Sequence, residues 1–321
     1  MKRTAAGVAL VLAGLLASGT GAFSAPGRIP QAEQRFHVTS RGLALIGSGI
    51  AAAAPAGEEA SAFEPVPPPG VRLRADEARA TSTPWIDSNA WRFQRGLRKA
   101  NYESLPAGAA PLAAAEAFTF NASAILDPDP ADVEDLGKML QFLKAHDKPA
   151  LPSMANIGVV ESDSPLMGEV LNLLTRRNLL YRVVAEPDPG LDVTVRLGSE
   201  EFPLAAAADP SQFAARVRAK LGDDKRLVRL YGTSTAIARL TGDGNKARLY
   251  LLNYRQGRGG RGGGNLPSVR VRVRGRYQPR FAGYGAAPDA TLTDIEHVEG
   301  ATEFWVPNFM ILAIIDLDVV K

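Results

Sequence analysis

The ten residues PWIDSNAWRF, Pro84 to Phe93, bring together two tryptophans, an aspartate, an asparagine and an arginine. Sugar sites combine an aromatic face, which covers the apolar side of a ring, with a few polar side chains that fix the hydroxyls. Trp85, Asp87, Asn89, Trp91 and Arg92 therefore form a candidate saccharide contact set. Read as a strand, the segment places Trp85, Asp87, Asn89 and Trp91 on one face and Arg92 on the other. The competing reading makes both tryptophans anchors of a core.

Cleaving a glycosidic bond needs two carboxyl groups across one cleft. The candidates are Glu116, Asp127, Glu161 and Asp163, with Asp87 of the contact set as a further acid. Glu116 is the lone acid of the apolar stretch AAAEAFTF, either a carboxyl with a raised pKa or the polar edge of a helix. Asp127 lies in LDPDPADVED, which fails as a calcium loop because Ala131 takes a ligand position and the required glycine and terminal glutamate are missing. The run reads instead as a helix start, with Asp129 as cap, Pro130 in first place, and Asp132, Glu134 and Asp135 near the positive end of the helix dipole. Glu161 and Asp163 sit in VVESDSPLMGE, where a strand gives way to a helix and ligands of open parallel sheets bind. That segment has neither G-x-G-x-x-G nor a P-loop lysine, and its two acids would repel an anion. The histidines His37, His146 and His297 are scattered, there is no cysteine and no G-x-S-x-G elbow. These absences argue against a serine triad, thiol catalysis and zinc, so the expected cofactors and metals are none.

The elements that must hold these residues alternate at first. AGAAPLAAAEAFTF is an alanine-rich helix, ASAILD a buried strand, and PADVEDLGKMLQFLKAH an amphipathic helix with Val133, Leu136, Leu140 and Leu143 on one face. The strand ANIGVVES, the helix SPLMGEVLNLLTRRN and the strand LLYRVVAE follow. Strands separated by single helices call for a parallel sheet, so the expected fold is an incomplete Rossmann-like or flavodoxin-like layer. Asp209 and Pro210 open a connecting helix. From Leu227 onward, RLVRLYG, TAIARLTG, ARLYLLNY, SVRVRVRG, RFAGYG, ATLTDIEHVEG, ATEFWVP and FMILAIIDLDVV read as an antiparallel β-sandwich, with Asp243 and Gly244 marking a hairpin. The fold class is thus α/β plus all-β. Between ARLYLLNY and SVRVRVRG, the stretch RQGRGGRGGGNLP looks like an RNA-binding box but lacks internal aromatics. It reads as a hairpin loop between two strands that each have one wet face. The eight arginines from Arg255 to Arg280, with no acid among them, make a local positive patch.

The first residues have the layout of a secretory signal peptide: Lys2 and Arg3, an apolar run from Val8 to Leu16, then small residues up to Ala25. Removing it leaves 35 bases against 34 acids, so the basic pI does not by itself imply a polyanion partner. The expected organisation is a signal peptide over 1–24, an Ala/Pro/Gly-rich disordered leader over 25–79, an α/β domain over 80–197, a connecting helix over 198–226 and the sandwich over 227–321.

The order VVESDSPLMGEVLNLLTRRNLLYRVVAEPD, RLYGTSTAIARL, ARLYLLNY and EFWVPNFMILAIIDLD resembles the later modules of secreted bacterial glycoside-hydrolase-like proteins. These include β-galactosidases in which an amidotransferase-fold trimerisation domain precedes a small β-sandwich. In that family a barrel with paired catalytic glutamates comes first. Here only about 65 residues, Ala80 to Lys144, precede the module, too few for a barrel of ~250 residues. The resemblance therefore carries over no catalytic residue, and implies a non-catalytic module associated with carbohydrate or with assembly. Three readings stand: a secreted or periplasmic protein that binds a glycan or protein partner, a glycoside hydrolase using an Asp/Glu pair, and a structural domain forming a homo-oligomer. None involves nucleic acid or a membrane span.

Overall fold

The computed structural model describes residues 36–38, 61–72, 85–255 and 264–320. The expected signal peptide, most of the leader and the central glycines of RQGRGGRGGGNLP lie outside the described residues.

The first layer is a parallel sheet of β1 (Phe36–Val38), β2 (Glu64–Pro65), β5 (Lys99–Tyr102) and β6 (Ser123–Leu126), in the order β1-β6-β5-β2. A hairpin of β3 (Gly70–Arg72) and β4 (Trp85–Asp87) and a one-turn helix, α1 (Ala90–Gln94), connect β2 to β5. The stretch 25–79, expected to be an extended linker, therefore supplies three strands. Its Phe36, Phe63 and Val66 are buried, which gives these short pieces the apolar area that a disordered leader would lack.

Helix α2 (Ala110–Thr119) is buried along its whole length. Ala113, Ala114, Ala115 and Ala117 are fully covered, because methyl side chains let the helix be surrounded on every side. The N-terminus of α2 is capped from a distance: the Asp132 carboxylate accepts from Gly108 N at 2.6 Å and Ala110 N at 3.1 Å. Asp132 thus stands in the first turn of its own helical segment, as expected, and its carboxylate also serves the preceding helix. Asp129 does cap the turn that opens α3 (Val133–Ala145), accepting from Ala131 N.

A second, separate parallel sheet follows, with β7 (Ile157–Val160) between β8 (Tyr181–Val184) and β9 (Val193–Val195). Helix α4 (Met167–Arg176), the short α5 (Leu204–Ala207) and α6 (Pro210–Leu221) complete its core. The single layer expected from Ala80 to Leu197 is in fact two sheets.

The C-terminal part is a sandwich of two four-stranded antiparallel sheets. One holds β11 (Ala236–Gly242), β12 (Lys246–Asn253), β17 (Leu312–Val319) and β14 (Tyr277–Gly283); the other holds β10 (Val228–Tyr231), β13 (Val269–Arg274), β16 (Ala301–Val306) and β15 (Thr293–Val298). Val269, Val271 and Val273 point into the sandwich while Arg270, Arg272 and Arg274 point out, as period-2 alternation requires. β12 and β13 nevertheless lie in different sheets, so the glycine-arginine stretch joins two sheets and closes no hairpin. β12 also lacks a wet face over most of its length. Leu249 and Leu251 face the sandwich, while Leu252, beside Tyr254, packs against the first parallel layer. Four of the six described arginines of the patch are paired: Arg270 and Arg272 with Glu303, Arg274 with Asp192, and Arg280 with Asp318. Strand pairing brings in acids that the linear sequence kept apart. No described helix is long and apolar enough to cross a membrane.

Candidate functional site

The segment PWIDSNAWRF does not continue as a strand. β4 stops at Asp87, and Ser88 Oγ accepts from Ala90 N at 3.0 Å, turning the chain into α1. A serine that bonds two residues ahead competes with the extended backbone, and this breaks the expected alternation. The five candidates consequently part company. Trp85 is half-buried with the Arg176 guanidinium 3.8 Å from its ring centroid, and Asp87 is half-buried beside it in the strand. Asn89 is 1% exposed and turned inward. Trp91 is half-buried, with the Arg92 guanidinium 4.2 Å from its ring centroid. A β-carbon on Gly168 would come within 2.8 Å of the Trp91 indole, so the close approach of α4 to this ring depends on that glycine.

Asn89 turns inward because of Glu116. This carboxylate, in the middle of α2 and 0% exposed, is surrounded by donors. Oε1 accepts from Ser88 Oγ at 2.9 Å, Asn89 N at 2.8 Å and Tyr254 Oη at 2.6 Å. Oε2 accepts from Tyr102 Oη at 2.9 Å and Asn89 Nδ2 at 3.2 Å. Ser88 Oγ and Tyr254 Oη also lie 2.9 Å apart, so either proton can turn from Glu116 to the other hydroxyl, and Asn89 Nδ2 donates to Pro67 O at 2.8 Å. Burial, and then the negative charge of Glu116, push the Tyr102 and Tyr254 hydroxyls well above the usual tyrosine range. A buried carboxylate needs such a shell of donors. Glu116 thereby joins the β4–α1 turn, β5, α2 and the sandwich, and no part of it reaches solvent where a substrate could meet it.

The other acids are placed differently. Asp127 accepts from Ser104 N at 3.2 Å just beyond β6. Glu161 is tied to Arg95 across a 2.6 Å ion pair, and Asp163 is exposed. Among the described residues, no group of three or more His, Cys, Asp or Glu could hold a metal ion.

What the structure does assemble is an open groove of about 620 Å³ beside α1. Trp91, Arg92, Arg95, Arg98, Lys99 and Glu64 supply its aromatic and charged lining. Only Trp91 and Arg92 belong to the contact set read from the sequence. The remainder was visible as RFQRGLRK, four cations within eight residues, but the strand reading sent Arg92 away from the tryptophans. Lys99 and Glu64 are the first residues of β5 and β2, so the groove flanks the amino ends of the parallel strands. At the carboxyl ends of these strands, Tyr102 and the Pro67 carbonyl are instead engaged by the Glu116 cluster.

A smaller cleft of about 270 Å³ lies between residues 148–151 and the sandwich. Most of its charges are paired within the chain, Lys148 and Arg248 with Asp316 and Arg280 with Asp318.

The fold has relatives among solved structures. An α-L-fucosidase, isoenzyme 2 from Paenibacillus thiaminolyticus, superimposes with a TM-score of 0.51 at 10% identity, over 66% of this chain and 57% of that one. A catalytic mutant of a GH42 β-galactosidase from G. stearothermophilus aligns at TM-score 0.38 and 6% identity, over 79% and 53% of the two chains. A β-galactosidase from Rahnella sp. R3 aligns at 0.35 and 9%, over 74% and 53%. The chain thus spans between half and three fifths of the length of these structures, and over part of its length it has the same fold as part of the α-L-fucosidase. No family model matches the sequence, and no curated protein matches it.

Proposed function

We propose that this chain is a carbohydrate-associated module that binds a glycan without cleaving it, and that the leader encoded by its first residues carries it out of the cytoplasm. The observation that carries the reading is the groove beside α1, where a half-buried indole lies among polar donors. Its likeness in fold to an α-L-fucosidase supports a link with carbohydrate. The hydrolase alternative is weakened by Glu116, whose two oxygens take five hydrogen bonds inside the protein. A glycan array run beside reducing-sugar assays on the same polysaccharides tests this. Retention of a glycan with no release of reducing ends is expected; turnover that is lost on replacing Asp127, Glu161 or Asp163 would establish the hydrolase instead. Export predicts a mature N-terminus near Ala25 in protein recovered from outside the cytoplasm.

A further inference from the structure

Among the described residues, the groove beside α1 has a charge imbalance: Arg92, Arg95, Arg98 and Lys99 line it with Glu64 as the one acid. Glu161, from the β7–α4 connection, answers Arg95 at 2.6 Å, which leaves Arg92, Arg98 and Lys99 facing Glu64. Arg98 spends one N–H on the Phe93 carbonyl, and Lys99 stands 5.3 Å from the Phe63 ring centroid; neither has an ion-pair partner among the described residues.

Arg92 differs from these exposed cations. Its guanidinium lies over the Trp91 ring, 4.2 Å from the centroid, and the residue is half-buried. Its backbone N–H donates to Asn89 O, and none of its guanidinium N–H donors is used by a described acceptor. Loss of water around it lowers its pKa, only partly offset by the charges of Glu116 and Glu64. A planar guanidinium held by an aromatic face presents its N–H edge outward, and the natural complement of that edge is a carboxylate accepting two parallel hydrogen bonds. The groove volume lies within the range of small-ligand sites.

We infer that the groove takes a carboxylate-bearing sugar, a uronic acid residue of an acidic glycan, on the Arg92 fork, with Arg98 and Lys99 drawing in neighbouring carboxylates along the chain. This rests on the carbohydrate-binding reading above and gives that ligand a charge.

The test is calorimetric titration of the full chain with oligogalacturonate, with a neutral cello-oligosaccharide and with inorganic phosphate, at two salt concentrations. Oligogalacturonate is expected to bind in preference to the neutral sugar, and more weakly as salt rises. Arg92→Lys keeps the charge but removes the fork, and should weaken binding at least about tenfold. Because Arg92 also packs on Trp91, the exposed pair Arg98→Gln and Lys99→Gln provides a second variant, expected to lower affinity and flatten the salt dependence. Equal binding of neutral and acidic sugars would overturn the inference while leaving the carbohydrate reading intact. Binding of phosphate alone, lost in Arg92→Lys, would overturn the carbohydrate reading. Unchanged oligogalacturonate affinity in both variants would show that the ligand sits elsewhere.

Discussion

Replacing Glu116 by glutamine changes one buried atom and should be felt across three layers of the protein. An amide can keep its oxygen where Oε1 now accepts from Asn89 N, which leaves its NH2 facing Asn89 Nδ2, 3.2 Å from the present Oε2. Asn89 cannot turn its own amide to accommodate this, because Nδ2 also donates to Pro67 O and an oxygen there would face another oxygen. Tyr102 can rotate its hydroxyl to accept, so it is not stranded. The net loss is one charge-assisted hydrogen bond, a buried donor facing a donor and the loss of charge assistance in the remaining bonds, about 2–4 kcal/mol in all. Glu116→Ala removes both oxygens, orphaning Asn89 N, Tyr102 Oη and one of the Ser88 and Tyr254 protons, since that pair can keep only one bond between them. With three stranded donors and a cavity, it should cost about 4–6 kcal/mol, a large share of the 5–15 kcal/mol typical of a folded protein. Urea unfolding followed by tryptophan fluorescence reads this well, since Trp85 and Trp91 flank the cluster in sequence. The midpoint should fall with the slope unchanged. Glu161→Gln, removing only a partly exposed ion pair, should move it by less than about 1 kcal/mol. If Glu116→Gln proves as mild as Glu161→Gln, the carboxylate does not hold these elements together.

The raised pKa values of Tyr102 and Tyr254 set an alkaline limit. The folded state keeps protons that the unfolded chain releases near pH 10, so stability is full below about pH 10 and declines above it. Urea midpoints across that range should fall more gently in the Tyr102→Phe, Tyr254→Phe double variant than in the parent, although that variant starts from lower stability. Arg248 is only 6% exposed at its side chain and depends on Asp316 at 2.7 Å, so Asp316→Ala should cost about 2–3 kcal/mol by thermal or urea melting. The exposed pair Arg280–Asp318 provides the contrast, and Asp318→Ala should cost under about 1 kcal/mol.

The sandwich was legible because its signals are local. All eight strands read from the sequence are present, since alternation and turn residues such as Gly244, with its φ of 92°, operate within a few positions. The caps Asp129 and Asp209 were readable for the same reason. What escaped is nonlocal. β1 and β2 are three and two residues long, too short to show a period, and they exist because they pair with β6 and β5 far along the chain. Glu116 stood out as a lone acid in apolar sequence, but its partners lie 14, 27, 28 and 138 positions away. Nothing near it in the sequence shows whether such an acid is a catalyst or an anchor. The basic groove was half legible: its cations form a visible cluster, and the strand assignment hid that Arg92 lies on Trp91.

The sheet containing β12 also explains why a boundary near Leu227 does not separate independent cores. On one side, Leu249, Leu251, Ala313, Ile315 and Leu317 fill the sandwich. On the other, Ile237, Leu252, Leu312 and Ile314 join a core to which β4, α1, α2, α3 and the first parallel sheet contribute, and Tyr254 reaches from there to Glu116. Burying such a side chain contributes about 1.5–3 kcal/mol, so these four aliphatic residues outweigh any single polar contact across the junction. A sheet covered on both faces reads as a continuous apolar run, and by that rule the apolar residues of RLYLLNY argued against the wet-faced hairpin read from the sequence. The same geometry separates two roles that the sequence had merged. The carboxylate suited to chemistry was drawn inside to join the sandwich to the α/β layer, and the cations beside it were left at the surface, where a ligand can reach them.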